Sequence, residues 1–161
     1  MRHLPKHLRP KWRYLAVGIE SWPEADLSRR AFQRRLWYAG QNLLGDPGCA
    51  DADLSVFAFH HDEGVGEAVV RTRRETVGEA RAALACLDKI EGQEVGIAVR
   101  GVSGTVRGCE EKYLGRRPEV SGEKRVVFEN ADRAAVTRDG LVDVRVGDAY
   151  TGATDFDVTP V

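Results

Sequence analysis

Two strand-like runs, Asp53–His60 and Val65–Arg73, are joined by a short linker, His61-Asp62-Glu63-Gly64, and this pairing narrows the fold more than any other feature. A linker that short, closing on Gly, ties the runs into an antiparallel hairpin. In the second run Glu67, Val69, Arg71 and Arg73 share one face, while Ala68, Val70 and Thr72 share the other. Segments of helical period stand on both sides of the hairpin. Upstream, Asp26 or Ser28 can cap a helix that carries Phe32, Leu36, Gly40 and Leu43 on one stripe and stops at Gly45-Asp46-Pro47-Gly48. Downstream, Thr76-Val77-Gly78-Glu79 has the form of a capping box. It opens a helix with Val77, Ala80, Leu84 and Leu87 on one side, ending near Ile90-Glu91-Gly92.

One more strand lies outside each helix: Leu15–Ile19 before the first and Glu94–Val102 after the second. The order is strand, helix, strand, strand, helix, strand. It packs most simply as an α/β (α+β) two-layer sandwich, with a four-stranded antiparallel sheet carrying both helices on one face. This is the ferredoxin-like or RRM-like βαββαβ arrangement, and right-handed crossovers leave few competitors. Thr105 can cap an additional helix, Val106–Leu114. Beyond Pro118 the character changes. Val126–Phe128 reads as a strand, and Asp139-Gly140, between Arg133–Arg138 and Leu141–Val146, predicts a hairpin. From about Gly147 the chain is polar and acidic and is expected to be mobile. The reading is therefore a domain over residues 1–117 and an acidic C-terminal extension over residues 118–161.

The net charge of −1 hides an uneven distribution: residues 1–117 hold 19 Lys and Arg against 16 Asp and Glu, and residues 118–161 hold 5 against 9. The basic excess is sharpest at the start. Arg2, His3, Lys6, His7, Arg9, Lys11 and Arg13 all precede the first carboxylate, Glu20. A cationic arm that runs directly into a strand suits a polyanion. So does the turn after the last strand, where Ser103, Thr105 and Arg107 surround the N–H groups of a helix start. The plainer alternatives are a frayed basic terminus and an ordinary capped helix. Arg29, Arg30, Arg34 and Arg35 read chiefly as a solvated helix face.

Signs of independent chemistry are missing. The pattern contains no P-loop, no GxGxxG and no Ser-His-Asp signature. His60, His61, Asp62 and Glu63 read as a polar hairpin tip, because neighbouring strand residues point to opposite faces and make poor metal-ligand geometry. Cys49, Cys86 and Cys109 are odd in number and widely spaced, which implies reduced thiols in a cytosolic protein. Cys86, within Leu84-Ala85-Cys86-Leu87, reads as an inert core thiol. No apolar run approaches the roughly 18–20 residues of a membrane span. A base-stacking platform of the RNA-recognition type is also incomplete. Trp12 and Tyr14 lie on the strand face away from Leu15, Val17 and Ile19, but the third strand offers Glu67, Val69 and Arg71 where stacking aromatics belong.

Several separated segments, in order, resemble archaeal ribonuclease P protein component 2, the relative of a protein subunit of eukaryotic nuclear ribonuclease P. They are Leu4–Tyr14, Leu15–Ile19, the arginine-rich helix ending Leu36–Gly45, Ala80–Leu87 and Val102–Arg107. The resemblance spans roughly residues 3–114 and leaves out everything from Pro118; the modest charge departs from the strongly basic members of that family. It implies an RRM-like subunit of the endoribonuclease that removes the 5′ leader of precursor tRNA, with the chemistry done by an RNA and its bound Mg²⁺. It further implies no catalytic residue, metal ligand or cofactor on this chain. The implied partners are ribonuclease P RNA, precursor tRNA within the complex, and the TIM-barrel-like ribonuclease P protein component 3, two such pairs joining as a heterotetramer. On this resemblance Lys6, His7, Arg9, Lys11, Arg13 and Tyr14, with Ser103, Thr105 and Arg107, are the expected RNA contacts. The competing expectations are a ferredoxin-like ligand-binding domain and an assembly adaptor that touches only protein.

Overall fold

The computed structural model describes residues 3–161, so Arg2 of the cationic arm lies outside the described residues. The chain opens with a single 3₁₀ turn, Lys6–Leu8. It then runs through β1 (Trp12–Ser21), α1 (Arg29–Ala52), β2 (Ser55–Asp62), β3 (Val65–Arg73), α2 (Val77–Ala85), β4 (Lys89–Ile90), β5 (Gln93–Ser103) and α3 (Val106–Tyr113). The strands form one antiparallel sheet in the order β2-β3-β1-β5-β4. Glu63-Gly64 closes the β2–β3 hairpin with positive φ at both residues (47° and 79°), the conformation of a two-residue turn matched to strand twist.

Strand alternation divides β1 between two layers. Leu15, Val17 and Ile19 face α1 and α2, where they pack with Phe32, Leu36, Val70 and Leu84 in a fully buried core. Ala16 faces the other way and is sealed, with Val69, under Cys109 and the flanking Val106, Tyr113 and Leu114 of α3 and its end. The sheet is thus covered by two helices on one face and by one short helix on part of the other. Gly101 makes the second contact possible. A Cβ there would lie 2.4 Å from the Tyr113 ring, so only glycine lets the ring rest on the strand.

Several local expectations are corrected. Ser28, and not Asp26, caps α1, accepting from Ala31 N–H. Gly45 (φ 69°, ψ 175°) breaks the helix as expected, but a further helical stretch follows it to Ala52. Leu43 is 47% exposed, and Leu44 takes its place against the core. The capping box at Thr76 does not form. The Thr76 hydroxyl instead donates to the Arg73 carbonyl (3.1 Å) and pairs with the Thr72 hydroxyl (2.9 Å). The second helix ends at Ala85, and Lys89-Ile90 pair with Glu94-Gln93 as a short edge strand. Cys86, at that helix end, is exposed and is not a core thiol.

Residues 124–160 build a second antiparallel sheet in the order β10-β6-β7-β8-β9, comprising β6 (Lys124–Phe128), β7 (Ala131–Arg138), β8 (Leu141–Val146), β9 (Ala149–Ala153) and β10 (Thr159–Pro160). Val126, Ala135, Val142, Val144 and Ala153 form its own small core. The stretch read as a polar end beyond Gly147 therefore contains a strand, β9, paired along β8 from Val146–Ala149 to Val142–Ala153. Arg138 joins the two sheets. Its guanidinium donates to Asp143 (2.7 Å), to the Gly64 carbonyl (2.8 Å) and to the Ser21 carbonyl, and the residue is only 4% exposed. Trp22 adds a bond from its indole N–H to Glu123 (3.2 Å), and Arg145 pairs with Glu24 (3.2 Å).

Candidate nucleic-acid interface

The register of β1 fixes what stands beside the cationic arm. Tyr14 pairs with Ser103 on one side and with Arg71 on the other, and Trp12 pairs with Arg73. The end of the arm and the turn before α3 are therefore neighbours across the sheet, although nearly ninety residues separate them in the chain. Thr105 caps α3 by accepting from Gly108 N–H (3.0 Å). The Ser103 hydroxyl lies within 3.5 Å of Thr105 N–H, and Cys109 donates its thiol hydrogen to the Tyr14 carbonyl (3.1 Å). Burial pushes that thiol pKa up, so Cys109 stays a protonated packing group. Arg107, on the first turn of α3, is largely exposed and bonds Glu111 one turn on (2.6 Å).

The arm itself divides. Lys11 is exposed, and its carbonyl accepts from Arg74 N–H (2.9 Å), which ties the arm to the end of β3. Arg13 lies on the helix-side face of β1, opposite Tyr14, and bonds the Trp12 carbonyl (2.9 Å). Lys6 and His7 are exposed on the 3₁₀ turn, and Arg9 reaches back to the Leu4 carbonyl (2.8 Å). The structure thus brings Tyr14, Ser103, Thr105 and Arg107 together at one end of the sheet. Lys11 leads into that end, and Lys6, His7 and Arg9 lie on the preceding turn.

Four residues absent from the expected RNA contacts, Trp12, Phe57, Arg71 and Arg73, occupy the same end. The Arg71 guanidinium carbon lies 3.7 Å from the centre of the Trp12 ring and 4.8 Å from that of Phe57; Arg73 lies 4.0 Å from the Trp12 centre. Phe57 meets Tyr14 edge to face at 5.7 Å and is 47% exposed. The available signal was register: the strand positions that replace the usual stacking aromatics carry guanidinium groups directly opposite Trp12 and Tyr14.

The arginines of α1 behave differently. Arg29 donates to the Val56 carbonyl (3.1 Å), Arg34 pairs with Glu91 (3.9 Å) and Arg35 with Asp88 (3.5 Å). Trp37 and Tyr38 are exposed on the same helix, beside a cavity of about 580 Å³. Among the described residues no three His, Cys, Asp or Glu side chains converge on a point that could hold a metal ion, and no helix is long and apolar enough to cross a membrane.

The Rpp14/Pop5 family profile matches residues 13–114. Over 157 residues the chain is 59% identical to Ribonuclease P protein component 2 of Halorubrum lacusprofundi, covering 98% of this chain and 99% of that one. The chain belongs to the Rpp14/Pop5 family. A second relative of the same name, from Haloarcula marismortui, is 57% identical over 98% of this chain and 99% of its own. The Ribonuclease P protein component 2 of Methanosarcina mazei is 35% identical over 114 residues, which is 71% of this chain and 93% of that relative. Among solved structures, one chain of yeast Ribonuclease MRP superimposes with a TM-score of 0.45 at 14% identity, covering 60% of this chain and 76% of its own. The family match runs from Arg13 at the start of β1 to Leu114 just after α3. It therefore takes in both sides of the Tyr14–Ser103 pairing, while the residues of the second sheet lie outside it; the likeness to the Halorubrum and Haloarcula relatives covers 98% of this chain.

Proposed function

We propose that this chain is a protein subunit of ribonuclease P, the endoribonuclease that removes the 5′ leader from precursor tRNA, and that it binds and stabilises the catalytic RNA. Near-full-length likeness to relatives named as that component is the observation that carries the reading. In it, the first sheet is a ferredoxin-like, RRM-like platform: the order β2-β3-β1-β5 of the long strands, with α1 and α2 on one face, agrees with that arrangement. The chain contributes no catalytic group. The chemistry belongs to the RNA and its Mg²⁺ ions, and the cytoplasm is where the complex works.

Lys6, His7, Arg9 and Lys11 meet phosphates along the arm, Arg13 reaches one only from the helix-side edge of β1, and Ser103, Thr105 and Arg107 hold the backbone at the start of α3. Such contacts position an RNA without reading its sequence. Fixed cations of this kind replace part of the diffuse ion atmosphere and lower the magnesium needed for the RNA to fold. The partners in this reading are ribonuclease P RNA, precursor tRNA within the complex and the TIM-barrel-like component 3, in pairs that can join as a heterotetramer. Deletion of residues 1–11, with affinity for the RNA and for component 3 measured separately, tests it. RNA affinity is expected to fall while partner affinity holds; the reverse pattern would make the chain a protein adaptor.

A further inference from the structure

We propose that Phe57 and Arg71 form the binding site for one unpaired nucleotide of the RNA, with the base on the Phe57 ring and its phosphate on the Arg71 guanidinium. The inference rests on the reading that the chain binds RNA, and it places the stacked base on Phe57 and not on Trp12 or Tyr14 of β1. The Trp12 ring is already engaged, with Arg71 and Arg73 held 3.7 Å and 4.0 Å from its centre. A base on that ring would have to displace a guanidinium that it holds by cation–π attraction.

Phe57 is less fully engaged: one guanidinium, that of Arg71, lies 4.8 Å from its ring centre, against two at 3.7 Å and 4.0 Å over Trp12. The pairing of β2 with β3 shifts register between Val56 and Ala58, and Phe57 stands at that irregularity with nearly half its surface open. A bulge there re-aims the side chain outward from the ladder. Tyr14 meets it edge to face, with an interplanar angle of 85°, and Arg71 lies over the ring, yet nearly half of the residue stays in contact with solvent. A base adds to an exposed aromatic face whatever its identity, which suits contacts that position RNA and do not read it.

Arg71 supplies the charge. Arg73 on the same strand is neutralised by Asp53 (3.1 Å), whereas among the described residues Arg71 has no ion pair, and its buried Nε has no hydrogen-bond partner. A guanidinium held against two rings and lacking a carboxylate is a preformed fork for a phosphate. The surrounding charge agrees: Lys11, Arg73 and Arg74 stand at the same end of the sheet. α3 seals Ala16 and Val69 but leaves this end open. From the β2 row to Ser103, across β3 and β1, is three strand spacings, about 14 Å. A single strand of RNA crossing the sheet would meet Phe57 and Arg71 and then the Ser103–Arg107 turn.

The test uses the full chain and a fluorescein-labelled 12-nucleotide single-stranded oligouridine, with fluorescence anisotropy read over a series of KCl concentrations. Phe57→Ala is expected to weaken binding roughly 5- to 150-fold with the salt slope unchanged, Phe57→Leu to do the same, and Phe57→Trp to retain affinity. Arg71→Gln is expected to lower the slope by about 0.7. Phe57 is exposed, so its variants are expected to fold; unchanged thermal unfolding checks this. If the Phe57 and Arg71 variants bind like wild type while Lys6→Ala/Arg9→Ala/Lys11→Ala weakens binding, the cradle is refuted and the RNA-binding reading survives. If Phe57→Ala costs affinity for component 3 and none for RNA, the surface docks protein and the proposal is wrong. If the wild-type chain binds neither the oligonucleotide nor ribonuclease P RNA, both readings fall.

Discussion

Arg138 should be the most costly single side chain to remove from the junction between the two sheets. It is 4% exposed and donates to Asp143, which is itself largely covered, and to the carbonyls of Gly64 and Ser21. Arg138→Ala would leave a carboxylate and two carbonyls without their donor in a site that water reaches poorly. Removing one partner of a buried ion pair costs about 3–5 kcal/mol, and at about 2–4 °C per kcal/mol for a chain of this size the midpoint should fall by roughly 10 °C. The two carbonyls belong to the first sheet and the arginine to the second, so the loss should also uncouple them. Two transitions are expected where wild type has one, read by urea unfolding with both far-UV dichroism and tryptophan fluorescence. Arg145→Ala is the control: its pair with Glu24 is exposed on both sides, and such pairs contribute at most about 1 kcal/mol. An Arg138→Ala protein within about 1 kcal/mol of wild type, unfolding in a single step, would mean that Arg138 does not hold the two sheets together.

Gly101→Ala would push a methyl group to 2.4 Å from the Tyr113 ring; a cost of about 1–3 kcal/mol is expected, largely relieved in Gly101→Ala/Tyr113→Leu, by thermal melts. His61 should give stability a pH dependence of defined sign. Burial lowers its pKa below 6.5, with His60 and Arg138 acting in the same sense and Asp26 and Asp62 opposing, while its Nε2 sits 2.8 Å from the Ser21 hydroxyl. The native state then binds fewer protons than the unfolded one, so stability should be full above about pH 6.5 and decline as pH falls through it. His61→Gln should flatten that decline in urea midpoints taken between pH 5 and 8, and an unchanged profile would mean that His61 is not the titrating group.

The long strands of the first sheet were legible because each is buried on one face by helices, which imposes the alternation of Leu15, Val17 and Ile19 against Tyr14, Ala16 and Gly18. Helix boundaries were harder, since they depend on competition for the same groups. Thr76 could cap a helix, yet Thr72 and the Arg73 carbonyl hold its hydroxyl. The continuation of α1 past Gly45 did have a signal: Pro47 directly after Asp46 is tolerated at the start of a helical turn as readily as after a helix end. The strand after Gly147 was marked as well, by the two-residue Gly147-Asp148 turn between Val146 and Ala149. Its polar composition outweighed that mark, because the strand buries little beyond Ala153. At the candidate interface the arm and the Ser103–Arg107 turn were visible as charge and capping pattern. Phe57 and Arg71 were not, because their meaning comes from register and from a bulge, which no local pattern reveals.

The central claim, that this chain supports a catalyst made of RNA, is tested most directly by reconstituted cleavage of precursor tRNA from ribonuclease P RNA and its protein subunits, titrated with Mg²⁺ with and without this chain. Adding the chain should lower the Mg²⁺ needed for 5′-leader removal, and Lys6→Ala/Arg9→Ala/Lys11→Ala should give back part of that requirement. Cleavage with the same Mg²⁺ dependence in the presence and absence of the chain would contradict the claim.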